Sequence, residues 1–457
     1  VESAYRIRLC DVTSARWRSS ESTEQARPST EFDLTSQFQS FYDSFEGQLP
    51  KLLAQRLFDA GDVAMLLESG TVEQAGEFSR VEVVLFGLPF PANQIVATVV
   101  LDFPLHELTD GEESYLRKLL QACTGSRLLI TGRPVTAIVD ELAAEIGAVP
   151  EEGADPAEDE SKGAREHHAL VFVNGNGSPA PEYPVIAGIL YGIQPPYQPE
   201  FIQLSRPKSL NRTGGTYAAV SPLSSFLYGQ QSEAENSVLL TTVQAVGTAA
   251  RFQRIWHDAY YHVQQFQAHR QSGRTGEQTR EDLETLADEV GNLELDLAFS
   301  VETTANLGLG STTARIDDFH HTLYEVMQIR SRARTVGQMF VRLGSSLKSE
   351  LTAIESREKK IEDARKKVED ARQFRFALTL GLLSFFFAPL GLLFAFFGVN
   401  ATQVGSDYSM FDLHHYWLVY TFVLVIMLAP TPVVLHIGVR RWRSRRQPTQ
   451  PEPSTRT

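Results

Sequence analysis

The sequence predicts an α+β membrane protein: an N-terminal cytoplasmic α/β domain, a long helical stalk and hairpin bundle, and two C-terminal transmembrane helices. Three observations carry this expectation. Residues 376–406 contain no Asp, Glu, Lys or Arg, and a second uncharged run covers residues 413–439. Sixteen of the 22 prolines stand at or before Pro222, and the next is Pro389. An interior proline costs a helix about 3 kcal/mol, so such a gap favours long helices.

Composition bounds the rest. The 457 residues carry 56 acidic against 42 basic side chains, a net charge of -14. A general nucleic-acid binder needs a basic footprint on phosphate, so that class is excluded. Cys10 and Cys123 are the only cysteines, too few for a disulfide scaffold or a zinc cluster, and they suit a reducing compartment. The mean hydropathy of -0.18 averages a polar body with the apolar C-terminal runs.

Residues 1–230 read as the α/β domain. Short β-branched runs at 81–86, 94–103, 127–131, 169–173 and 184–191 predict strands. Residues 49–67 and 112–122 predict helices, and the acidic stretch 151–162 predicts a loop. His167 and His168 precede a strand and point to opposite faces of it, which disfavours a joint metal site. Residues 231–310 read as an acidic helical hairpin, with helices over about 234–271 and 279–306. A stalk helix starts near Ser311 and shows no stop through 375. Leu347, Leu351, Ile354, Ile361 and Val368 hold a heptad phase along it.

Residues 376–397 would span roughly 33 Å as helix, against a bilayer core of about 30 Å. The expected arrangement is a first span at 376–400, an external loop at 401–415, a second span at 416–439 and a basic tail at 440–457. Lys359, Lys360, Arg365, Arg372 and Arg375 precede the first span, and Arg440, Arg441 and Arg443 follow the second. The loop has no Lys or Arg, so both termini are expected in the cytoplasm of a multi-pass protein of the cell membrane. Tyr416, Trp417 and Trp442 suit anchoring at the interface.

Inside the first span Ala377, Gly381, Ser384, Ala388, Gly391, Ala395 and Gly398 recur at alternating spacings of four and three, a helix face made only of small residues. Two readings stay open: close packing of membrane helices, or a pore wall shared by several copies. Sevenfold steps back from Ala377 land on Asp370 and Asp363, and from Gly381 on Phe374. Rings of Asp concentrate cations and an apolar ring can gate by dewetting, which favours a cation path with Phe374 and Leu380 as constrictions.

Phe387-Ala388-Pro389-Leu390, followed by Gly398-Val399-Asn400, a short loop, a second apolar run and a basic tail, resembles the CorA family of divalent-cation channels. The resemblance implies a homopentamer with the first span lining the pore. It implies that Asn400 holds the water shell of an incoming ion and that Asp363 and Leu380 face the pore. Val399 stands where that family has Met, Phe374 replaces a polar residue at the inner mouth, and Met339 stands at the position of a stalk aspartate. These departures leave Mg²⁺ or Zn²⁺ as the expected cargo; His414 and His415 are soft enough for Zn²⁺. No resident cofactor is expected. The chain shows no G-x-x-x-x-G-K-[ST] motif and no nucleophile–base constellation, so an enzyme is not expected. Two alternatives remain: a ligand-gated membrane effector using such a pore, and a non-conducting receptor or scaffold.

Overall fold

The structure, a computed structural model, describes residues 5–19, 50–59, 61, 63–66, 70–76, 78–89, 93–105, 110–125, 127–150, 166–175, 182–192, 204–212, 214–272, 277–302, 314–399 and 412–428. It divides into two compact units, Val1–Thr352 and Ala353–Thr457.

The first unit is built on β1 (Tyr5–Arg18), a 14-residue strand whose Ile7 and Leu9, on one face, and Val12, on the other, are fully buried. It pairs antiparallel with β6 (Gln94–Leu105) on one side and β10 (His167–Gly175) on the other. β5 (Arg80–Leu88) and β2 (Lys51–Phe58) extend the sheet beyond β6. β12 (Ser224–Tyr228) and β11 (Tyr217–Val220) close the far side, with β12 parallel to β10. A small sheet joins β3 (Val63–Leu66), β4 (Val72–Gln74), β7 (Leu128–Ile130) and β8 (Arg133–Pro134). β9 (Val149–Pro150) pairs with the end of β1.

Both faces of the large sheet are covered. Ile7, Leu9, Val99, Leu101 and Val171 share one core with α1 (Asp110–Thr124), α2 (Val135–Glu145) and α3 (Tyr183–Tyr191). Against the other face lies α4 (Ser232–Ser272). Gly247 lets α4 sit down there: a Cβ would collide with Leu88 Cδ1 and lie 3.1 Å from Val96 Cγ2. After α4 come α5 (Glu277–Asp296), a π-helical segment (Leu297–Glu302), α6 (Ala314–Val326) and α7 (Ile329–Val399). In the second unit, besides the continuation of α7, α8 (Trp417–Leu428) is described.

Several expectations change. Within 49–67 the described residues form two strands, β2 and β3; pairing of β2 with β5 overrides a spacing that also fits a helix. Residues 184–191 form helix α3: Pro184 sits in its first turn, and Gly192 ends it at φ 65°, donating its N–H to Gly188 O. A short run buried on every side carries no period by which strand and helix differ. The stalk is not one helix from residue 311 onward, because Gln328 takes φ +59° and separates α6 from α7. The acidic stretch 151–162, Asn400, the loop to residue 411 and the tail 440–457 lie outside the described residues.

The fold is α+β with an N-terminal sheet domain, but the two transmembrane helices are not found. Among the described residues no helix is long and apolar enough to cross a membrane. α8 as described has 12 residues, about 18 Å of helix against a hydrocarbon core of about 30 Å, and the rest of the second expected span, 429–439, lies outside the described residues. α7 is long, but it carries charged side chains along its length up to Arg375.

Candidate functional site

A helix of 3.6 residues per turn keeps positions seven apart on one side. α7 therefore places Asp363, Asp370, Ala377, Ser384, Gly391 and Gly398 in one row, with Phe374, Gly381, Ala388 and Ala395 in the row beside it. Asp363, Asp370, Ala377, Gly381, Ser384, Ala388, Gly391 and Ala395 are exposed. Phe374 is 40% and Leu380 57% exposed. At Gly381 and Gly391 an added Cβ would meet nothing within 4 Å. Gly398 and Val399 lie in the last turn of α7; Asn400 lies outside the described residues.

The acidic end of this face is not purely anionic. Lys366 Nζ lies 3.0 Å from Glu362 Oε1. Its ammonium is held above the ordinary lysine value by Glu362 first, then by the charges of Asp363 and Asp370. A cation thus sits within electrostatic reach of both aspartates, which heptad counting alone had set apart from their neighbours.

His414 and His415 occupy an exposed turn. The His414 N–H donates to Asp412 Oδ1 at 3.2 Å, and the His415 ring meets Tyr416 edge-on at 5.1 Å. No group of three or more His, Cys, Asp or Glu side chains that could hold a metal occurs among the described residues.

The first unit buries a charge network that sequence reading missed. Arg8 Nε and Nη2 donate to Asp102 Oδ1 and Oδ2 at 2.9 and 3.1 Å, and Arg6 Nη2 reaches Asp102 Oδ2 at 3.1 Å. Arg8 Nη1 lies 3.6 Å from Glu235 Oε2, and Asn174 donates to Glu235 Oε1 at 2.6 Å. Burial alone would raise the Asp102 carboxyl, but the bonds from Arg8 and Arg6 hold it below the usual carboxylate range. Burial dominates at Glu82 and Glu235, and both are raised. Because Glu235 sits in the first turn of α4, the network fastens that helix to β1, β6 and β10, with an acid at the favourable end of the helix dipole. The legible signal was Arg6-x-Arg8, two cations on one face of a strand.

His167 and His168 do face opposite ways. His167 Nε2 contacts Asp11 Oδ1, while His168 Nε2 lies 2.8 Å from Ser225 Oγ. Burial lowers His167, yet Asp11 outweighs it and the net shift is upward. Burial, then the charge of His167, pushes His168 down to about 3, so it is held neutral.

Comparison of the chain with family models, curated proteins and solved structures gave no match.

Proposed function

We propose that the chain assembles as a homo-oligomer, a pentamer by its CorA-like resemblance, that passes hydrated divalent cations, Mg²⁺ or Zn²⁺, along a common axis of α7 helices at the cell membrane. One observation supports it above the others: the face of α7 that carries the small residues and Asp363 and Asp370 is exposed, with open space at Gly381 and Gly391. Small side chains leave room for a water-filled path between copies, and aspartates at its acidic end concentrate cations. Phe376, Leu378, Leu383 and Phe387 on α7, with Trp417, Leu418 and Phe422 on α8, are also exposed. Apolar surface on this scale is covered in use, by neighbouring copies or by lipid.

The test is uptake of Mg²⁺ or Zn²⁺ into liposomes carrying the protein, with native mass spectrometry to count copies. Gly391→Phe should remove most of the uptake while leaving the oligomer intact, and Asp363→Asn with Asp370→Asn should reduce it. Wild-type uptake in Gly391→Phe, or a monomer under all conditions, ends the conduit reading. The position of Lys366 favours a second reading, a non-conducting helical scaffold. Lys366→Met separates the two: it raises cation flux in a conduit and changes no flux in a scaffold.

A further inference from the structure

Residues 359–365 and 366–372 of α7 read KKIEDAR and KKVEDAR, a tandem heptad that differs only at Ile361 and Val368. Every residue of both heptads is exposed. The plain reading of so charged a helix is a solvated one, steadied by pairs such as Lys366 with Glu362, four positions apart. That reading leaves an apolar row unexplained. Leu347, Ile354, Ile361 and Val368 stand seven apart, with Ala364 and Ala371 three positions after the last two. Leu347 is fully buried, Ile354 is half-buried, and Ile361 and Val368 are exposed. The row therefore continues a packed seam into the open.

The charges beside the row are of one sign. Arg365 and Arg372 stand on one side of it and Lys360 and Lys367 on the other, at the positions that meet a partner helix across a seam. Two such rows paired in parallel would set Lys367 against Arg372. Paired antiparallel, they would set lysine against lysine and arginine against arginine. The row repels its own copy in either direction and suits an acidic helix.

The chain carries such a helix. α5 holds eight acidic side chains and one basic. Leu283, Leu286 and Val290 bury one side of it. Glu281, Asp288 and Leu295, seven apart, stand on the opposite side and are exposed, as is Phe299 in the π-helical segment. A Cβ added at Gly291, one turn before Leu295, would meet nothing within 4 Å. This side offers carboxylates and two apolar anchors over about 27 Å, against about 21 Å of tandem heptad. Asp363 and Asp370 lie two positions after Ile361 and Val368, about 200° around the helix. With those aspartates toward the common axis of the proposed conduit, the apolar row faces outward, where a neighbour's α5 can reach it.

We infer that the tandem heptad of one copy docks the outer side of α5 from the next copy. Ile361 and Val368 meet Leu295 and Phe299, while the flanking arginines and lysines meet Glu281 and Asp288. A contact between two unlike surfaces repeats around an axis and closes a ring. It needs the homo-oligomer of the proposed function but not conduction.

Two differently tagged full chains, one with Val368→Cys and one with Leu295→Cys, are co-expressed and treated with a short bismaleimide; Cys10 and Cys123 are buried. A link between the two tags is expected. Arg365→Glu with Arg372→Glu should raise the concentration needed for assembly about tenfold in native mass spectrometry. Adding Glu281→Lys with Asp288→Lys should restore it. All four charges are exposed, and thermal unfolding checks each variant. Raising salt from about 0.05 to about 0.5 M should weaken the link without any substitution. A link found only within single chains that carry both cysteines overturns the docking between copies. Val368→Cys copies linking only to one another overturn it too, as does an intact oligomer with no link or with no rescue by the opposite charges. A monomer at every concentration ends this contact and the proposed oligomer together. The link should persist in Gly391→Phe, so failure of conduction and failure of this contact are told apart.

Discussion

The two ends of α7 share one spacing and meet different fates. Ile329, Ala333, Val336, Phe340, Leu343 and Leu347, spaced four and three, are all buried. Leu297 reaches toward this end at Gly337, 3.8 Å from where a Cβ would lie. Leu351 and Ile354 are half-buried; Ile361 and Val368 keep the phase but are 55% and 70% exposed. A heptad therefore marks a seam without saying what fills it. The chain's own helices fill the first part, and the second is exposed.

That contrast can be broken or sharpened by measurement. The largest effect is expected at the filled end: Phe340→Ala, at a fully buried site, should cost about 3–5 kcal/mol in denaturant unfolding. A cost under about 1 kcal/mol would mean that the seam is loosely packed.

Next comes acid. His168 is neutral in the folded protein, with its value depressed to about 3. Its contribution is complete above the unfolded value near 6.5 and is lost progressively as pH falls toward 3, by up to about 4 kcal/mol. His167 has the opposite sign: its stabilisation by Asp11 is complete below its unfolded value and fades as pH rises through its elevated folded value. The midpoint of unfolding of the first unit should therefore drop between pH 6.5 and 4, and His168→Asn should flatten that limb. A wild-type midpoint that does not move would remove His168 from the account.

Third, Thr248 Oγ1 lies 3.2 Å from the fully buried Tyr324 hydroxyl, joining α4 to α6. Thr248→Val should cost about 1 kcal/mol. Smallest is the change at the open end. Ile361→Ser with Val368→Ser should alter unfolding by less than about 0.5 kcal/mol yet dissociate the oligomer in native mass spectrometry. Loss of stability without loss of copies would show that the open seam is filled within one chain.

Much of this architecture was legible where one cause dominates. β5, β6 and β10 announce themselves by β-branched runs, and α4 by its freedom from proline. β1 was missed because its buried faces carry Arg8 and Asp11, which look like surface residues until Asp102 and His167 are placed beside them. Residues 184–191 deceived because burial of all five residues from Ile186 to Leu190 erases the period, though Pro184 in the first turn and Gly192 after the last were helix signals. The row on α7 could be counted from sequence alone. Lys366 could not be weighed in that way, because its reach toward two aspartates is a matter of side-chain direction.

The place of β1 has a consequence for synthesis. As the middle strand, it takes its neighbours from residues 94–105 and 167–175. During synthesis β1 thus leaves the ribosome before either of these neighbours, and its two hydrogen-bonding edges wait for those mates for scores of residues. Such distant pairing slows folding and leaves a strand open to wrong neighbours. The nascent protein would benefit most from a chaperone before residue 175 emerges.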